Sequence, residues 1–314
     1  MTVLEDDAAG CFEHEAFIYA SDDEYVETLA PLMADALAAG DVVIAVVPGQ
    51  RAALLRAELG TAADGVTWIE ASEWYRQPVR TIAGYERTLQ GLERGTSAFV
   101  VGEVQFGSNE RDWRAWTRYE AALNRALERH AARVVCPYDA RSLPPTVVDD
   151  ARRTHRHLLE RDERRASEGY VEPEALLRDM AADAVTPVGT PDVELPVGRS
   201  VQEARRAFSS AATAWGLPGS RAHELSVAVS EVVTNAVVHG GGAASLRIWC
   251  RDDGLTCVVE DQGTGSEDAL LGYVPPAPGA VGGYGLWLTR QLFDRTELAR
   301  SAGGGLLVLL AVDA

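Results

Sequence analysis

Glu231, Asn235 and His239 recur at i, i+4 spacing in Glu231-Val-Val-Thr-Asn235-Ala-Val-Val-His239. On a helix this puts a carboxylate, an amide and an imidazole on one side. Leu225, Val229, Val232 and Val233 fall on the other side and are expected to face a sheet. Taken alone, these residues describe an ordinary amphipathic helix with a polar solvent face. Two further segments shift the balance toward a ligand site. In Asp261-Gln262-Gly263-Thr264-Gly265 an acceptor-only carboxylate precedes two glycines that let backbone approach a flat ring closely, so a purine amino group could donate to Asp261. Some twenty residues on, Gly282-Gly283-Tyr284-Gly285-Leu286 opens a helix whose first N–H groups are unpaired and aligned with the helix dipole, the arrangement that binds phosphate.

The elements that must hold these residues are readable from periodicity. Ser200 to about Trp215 reads as a helix, and Ser220 opens a second that ends at His239 against Gly240-Gly241-Gly242, where glycine accepts the positive φ that stops a helix. Ser245–Arg251 and Leu255–Glu260 alternate as strands joined through Asp252-Asp253-Gly254, a hairpin signal, and Leu306–Val312 is a further strand. Helices and hairpin strands in this order make an α+β sandwich.

The first half has a different rhythm. Short β-branched runs at Ala16–Tyr19, Val42–Val47, Val66–Ile69, Ala98–Val104 and Val134–Cys136 alternate with amphipathic stretches, the pattern of an α/β parallel sheet covered by helices. Ser21 and Glu24 form a capping box that starts a helix near Asp22. The longest helix is expected from Asn109 to Ala131, and another after Pro145. Pro173, Pro187, Pro191 and Pro196 interrupt any long periodic element, so residues 166–197 are expected to link a first domain (1–165) to a second (198–314).

The 314 residues carry 29 basic and 47 acidic side chains, a net charge of -18 that would repel nucleic acid and anionic membranes. Cys11, Cys136, Cys250 and Cys257 lack a C-x-x-C pair or the histidine spacing of a zinc site, so spacing implies no metal cage. The apolar runs fall far short of the ~20 residues that cross a bilayer. No secretion signal is read at the start, and the expectation is a soluble, cytoplasmic protein.

The three features of the second half resemble the N box and the two glycine boxes of the ATPase domain shared by the heat-shock chaperone, gyrase and histidine kinases, in the same order and spacing. That resemblance implies ATP and Mg²⁺ as ligands: Asn235 holding Mg²⁺, Asp261 reading adenine, and Gly263, Gly265, Gly283, Gly285 and Leu286 shaping the pocket. Residues 270–281 would form a mobile lid. The helix carrying Arg205-Arg206 and the ending Gly-Tyr-Gly-Leu-Trp-Leu-Thr-Arg-Gln-Leu-Phe-Asp resemble anti-sigma-factor serine kinases of the RsbW type. In these, Glu231 would act as general base on the acceptor hydroxyl, and the partners would be a sigma factor or a STAS-type antagonist, with a homodimer common. Tyr284 departs from the basic or small residue often found at its position. Two other readings stay open: a sensor histidine kinase, with His155 or His157 as phosphoacceptor, and a non-catalytic switch in which ATP alters affinity for a partner.

The first half resembles the sensory domain called MEDS, a RecA-like fold stripped of its nucleotide machinery, through His14-Glu-Ala-Phe-Ile-Tyr19, Gly102-Glu103, Tyr119-Glu120, Cys136-Pro-Tyr138-Asp139 and His155-Arg-His157. Pro48-Gly49-Gln50-Arg51-Ala52 stands where a P-loop would, without Lys-Ser or Lys-Thr, so no ATP hydrolysis is expected there. Open parallel sheets form pockets outside the carboxyl ends of their strands. This nominates a sensory pocket of His14, Tyr19, Glu103, Cys136, Tyr138 and Asp139. Cys136 is more often a small buried hydrophobe than a reactive thiol, and His14 and His155 are expected to be satisfied by local hydrogen bonds rather than to be metal ligands.

Overall fold

A computed structural model describes residues 12–160, 163–181, 187–198, 200–266, 268–276 and 283–314. Cys11 and Gly282 lie outside them. The chain forms two compact units that divide between Pro173 and Glu174.

The first unit contains β1 (Glu13–Tyr19), α1 (Asp22–Ala39), β2 (Val42–Val47), α2 (Gly49–Leu59), β3 (Val66–Glu70), α3 (Ala71–Trp74), α4 (Pro78–Gln90), β4 (Ala98–Gly102), α5 (Glu110–Ala126), β5 (Ala132–Asp139), α6 (Pro145–Thr154), β6 (His157–Glu160) and β7 (Glu163–Ala166). Its seven strands order as β3-β2-β4-β5-β1-β6-β7, all parallel except the edge pair β6/β7. The central strands β2 and β4 are continuous apolar runs because helices cover both faces.

The Ser21 cap forms as expected, while Glu24 reaches back to the residue before the cap rather than to a first-turn N–H. Ser21 Oγ accepts the Glu24 N–H at 3.1 Å and Glu24 Oε2 accepts the Ala20 N–H at 2.8 Å. Asn109 likewise caps α5 by accepting the Asp112 N–H at 3.0 Å. That helix stops at Ala126 rather than Ala131, since Leu127 leaves helical geometry with φ −107° and ψ 3°.

The second unit is built from β8 (Val193–Val197), α8 (Val201–Trp215), α9 (Gly219–His239), β9 (Ala244–Arg251), β10 (Gly254–Asp261), α10 (Tyr284–Leu292), β11 (Arg295–Arg300) and β12 (Leu306–Asp313). A helix, α7 (Pro173–Ala181), precedes them, so the segment read as linker contains a helix and a strand. Proline at 196 is compatible with β8 because this is an edge strand. The sheet is antiparallel throughout, in the order β11-β12-β10-β9-β8.

Leu225, Val229, Val232 and Val233 of α9 are buried in a core with Phe208, Leu246, Ile248, Val259 and Leu310. Burying each of those side chains contributes about 1.5–3 kcal/mol. This anchors α9 on the sheet by its apolar side. Its polar side is thereby left for a ligand.

Candidate functional site

Glu231, Asn235 and His239 of α9, Asp261 and Gly265 after β10, and Gly283, Tyr284, Gly285 and Leu286 at the start of α10 line one cavity of about 550 Å³. Small-molecule sites span roughly 300–1,000 Å³. The wall opposite the helices is apolar, formed by Val259, Leu306 and Val308 of the sheet. Gly263, expected to shape the pocket, is not among the residues lining it; its N–H donates to Asp261.

Asp261 is 8 % exposed, and its Oδ1 accepts two backbone N–H groups, from Gly263 at 2.9 Å and Leu306 at 3.0 Å. One carboxylate oxygen is therefore fixed by the fold. No protein donor among the described residues holds the other. Three glycines make room for this carboxylate. A Cβ at residue 240 would overlap Asp261 Cβ and the Ala236 carbonyl oxygen; one at 263 would lie 2.8 Å from Gly240 Cα; one at 305 would overlap the Asp261 carbonyl oxygen. Gly240 therefore serves close approach, with φ −94°, while the positive φ values expected at the end of α9 belong to Gly241 and Gly242, at 83° and 86°. Nothing in the sequence marks out Gly305, because it comes forty-four positions after the residue it accommodates. Gly305→Ala is expected to weaken adenine-nucleotide binding more than about tenfold by displacing Asp261. Gly303→Ala, whose Cβ would meet only Ser301 Oγ at 3.7 Å, is expected to leave it unchanged in the same calorimetric titration.

Gly285 brings the two helices together: a Cβ there would lie 3.4 Å from Glu231 Oε2 and 3.6 Å from Asn235 Nδ2. Gly283 caps α10 in left-handed geometry, φ 84°, without a side-chain cap, so the first-turn N–H groups face the cavity unclaimed by a capping oxygen. Asn235 has no hydrogen-bond partner among the described residues, and its side-chain oxygen is free to act as a neutral ligand. The donor set fits a magnesium nucleotide: oxygen donors from an amide, amides at a helix start, and a buried carboxylate acceptor. Of residues 270–281, read as a lid, 277–281 lie outside the described residues. Leu271 and Tyr273 are held to α10, since Arg290 Nε donates to the Leu271 carbonyl at 3.1 Å and its guanidinium lies 3.9 Å from the Tyr273 ring centroid.

In the first unit, the six residues nominated as one sensory pocket divide between the two faces of the sheet. Side chains alternate along a strand, so His14 and Tyr19 of β1, five apart, point to opposite faces, as do Tyr138 and Asp139 of β5.

On one face, Tyr19 and Tyr25 donate to the two oxygens of Glu103 at 3.1 and 3.2 Å. Arg51, at the P-loop position, binds Asp22 at 2.7 Å and Asp139 at 3.0 Å and lies against both tyrosine rings. The segment that lacks the P-loop lysine thus carries a buried arginine held between carboxylates. Burial raises the Glu103 carboxyl above the usual range, opposed by Arg51. Asp139 is held below it by its hydrogen bonds from Arg141. Arg51→Met is expected to destabilise the protein by about 2–3 kcal/mol, less than the full cost of a broken buried pair because Asp22 is half exposed and Asp139 keeps Arg141. Urea denaturation followed by far-UV circular dichroism checks this.

On the other face, His14, Cys136 and Tyr138 meet Glu120 of α5 and His155, which lies just beyond α6. His155 is 0 % exposed and His157 belongs to β6, so neither sits on the exposed helical hairpin that a phosphoacceptor histidine requires.

Residues 13–156 match the family model described as MEDS, the methanogen/methylotroph DcmR sensory domain, and residues 197–311 match that of the histidine kinase-like ATPase domain. The chain pairs a MEDS domain with a histidine kinase-like ATPase domain. No curated protein matches it at a significant level. The second match spans the whole cavity between α9, α10 and the sheet, and the first covers both clusters of the MEDS sheet. This architecture is that of a signal-regulated ATP-binding regulator. Among the described residues no helix is long and apolar enough to cross a membrane.

Proposed function

We propose that the chain is a signal-responsive anti-sigma regulatory factor whose ATPase domain binds Mg·ATP and phosphorylates a serine or threonine of a STAS-type antagonist, so controlling the availability of a sigma factor. The observation that carries this reading is the convergence of Glu231, Asn235, Asp261 and the uncapped start of α10 on one cavity. Bound Mg·ATP would supply the phosphoryl group and the cation that offsets its charge.

The chain's own residues have separable tasks. Asp261, with Oδ1 tied to two backbone amides, presents its other oxygen to the exocyclic amino group of adenine. The first-turn amides of α10 hold phosphate oxygens, and Asn235 offers its carbonyl oxygen to the cation. Glu231, one turn before Asn235 and exposed at the rim, accepts the proton of the incoming hydroxyl. A carboxylate at the rim reaches a protein acceptor, which a buried one would not. The MEDS domain receives the input, and a homodimer through the ATPase domain accords with the reading.

The test is incubation of the purified full chain with γ-labelled ATP and candidate antagonists. Acid-stable label on serine or threonine of the acceptor is expected. Acid-labile label on the chain itself would replace the reading with that of a histidine kinase, and tight ATP binding without transfer would leave a binding switch.

A further inference from the structure

The second cluster of the MEDS domain contains more than a packed histidine. Nε2 of His14, a carboxylate oxygen of Glu120, Sγ of Cys136 and a ring nitrogen of His155 all lie within 4.8 Å of one another, and all four residues are buried. His14 Nε2 is 3.2 Å from both Cys136 Sγ and Glu120 Oε2, and Glu120 Oε2 is 3.6 Å from His155 Nε2 and 3.8 Å from Cys136 Sγ. Neighbouring ligands of a tetrahedral ion are roughly 3.3–3.7 Å apart for bonds of about 2.0–2.3 Å. Four of the six separations, 3.2–3.8 Å, lie close to the edges of such a site.

The surrounding hydrogen bonds decide which nitrogen each imidazole turns inward. Asn124 Nδ2 donates to the carbonyls of Glu120 and Thr154 at 3.0 and 2.9 Å, so its Oδ1 is the atom facing His14 Nδ1 at 3.3 Å, and Nδ1 carries the proton. His155 Nδ1 lies 2.9 Å from the Ala151 carbonyl oxygen, an acceptor only, and 2.9 Å from Thr154 Oγ1, whose own hydrogen goes to the Asp150 carbonyl, so there too the proton is on Nδ1. Both Nε2 lone pairs therefore point at the carboxylate and the thiol. His155 Nε2 and Glu120 Oε1 have no hydrogen-bond partner among the described residues, although each is fully enclosed. Buried polar atoms left in this way are costly unless something else satisfies them.

From this geometry we infer that His14, Glu120, Cys136 and His155 form a binding site for one divalent transition-metal ion of the zinc type. Imidazole, thiolate and carboxylate together select a borderline-soft ion over magnesium or calcium. The charges balance: a thiolate and a carboxylate neutralise a divalent ion, and both imidazoles bind as neutral ligands. The backbone carbonyl behind His155 and the amide behind His14 are the outer supports that ligating histidines ordinarily have. The ligands come from β1, α5, β5 and the α6–β6 junction, so occupancy ties four elements of the domain together.

The experiment uses the full chain, stripped with a chelator and titrated with Co²⁺ and then Zn²⁺. Expected are uptake of a single equivalent, the visible d–d bands of tetrahedral cobalt, a thiolate-to-cobalt charge-transfer band, displacement of both by Zn²⁺, and a higher unfolding temperature when loaded. Cys136→Ser should remove the charge-transfer band and weaken binding at least tenfold; Glu120→Gln should keep that band and also weaken binding at least tenfold. A chain with Cys11, Cys250 and Cys257 all replaced by serine should keep the full spectrum. Folding of each variant is verified by circular dichroism, and Glu120→Gln serves if Cys136→Ser fails to fold. Absence of cobalt uptake by the stripped chain, or a spectrum and affinity unchanged by Cys136→Ser and Glu120→Gln, overturns the assignment.

Discussion

Glu231→Gln is expected to slow phosphotransfer to a protein acceptor by about 10²–10⁴-fold, the range typical of a lost general base, while adenine-nucleotide affinity changes by less than about threefold. The glutamine fills the same volume beside Gly285, so the contact between α9 and α10 is preserved. It cannot accept a proton. Glu231 is exposed at the cavity rim and makes no hydrogen bond to the described residues, so the substitution leaves no group unpaired. Initial rates with labelled ATP, paired with calorimetric titration of the nucleotide, separate the two effects. A rate equal to that of the wild type removes the base from the scheme, whereas equal losses of binding and rate would make Glu231 a residue that shapes the cleft.

Asp261→Asn carries the second large effect, this time on binding. Asparagine can keep its Oδ1 on the Gly263 and Leu306 amides, so the turn after β10 should survive and the unfolding temperature should move by no more than a few degrees. The other end of the amide is a donor. It would face the donor amino group of adenine, replacing a hydrogen bond to a charged acceptor with two unpaired donors at a cost of about 2–4 kcal/mol, which is roughly 30–1,000-fold in affinity. Titration with ATP and with inosine triphosphate, which has an oxo group at that position, is decisive. The wild type should prefer ATP and the variant should lose or reverse that preference; equal preference in both would mean that Asp261 does not read the base.

The cavity lined by Glu231, Asn235, Asp261 and Gly285 was legible in the sequence because its parts are local. Three side chains four residues apart must share a helix side, and the two glycine segments, weak signals singly, gained meaning from their resemblance in order and spacing to the boxes of a known ATPase domain. What escaped was Gly305, whose need for a missing Cβ arises from a neighbour distant in sequence. Strand alternation could have divided the MEDS residues beforehand, since His14 and Tyr19 differ by an odd number of positions, as do Tyr138 and Asp139.

By itself, then, the amino-acid order determined the two-unit plan, five of the six parallel strands, the start of α1, and the helix face carrying Glu231 and Asn235, while β6 was not read. All of these arise from periods of 2 and 3.6 and from turn chemistry within a few residues. Tertiary structure alone decided that Arg51 occupies the P-loop position among Asp22, Glu103 and Asp139, and that Glu120 and His155 join His14 and Cys136 beneath the sheet. The physical reason is that these contacts form only when the order β4-β5-β1-β6 brings together strands that are remote along the chain, and helices α5 and α6 pack across them.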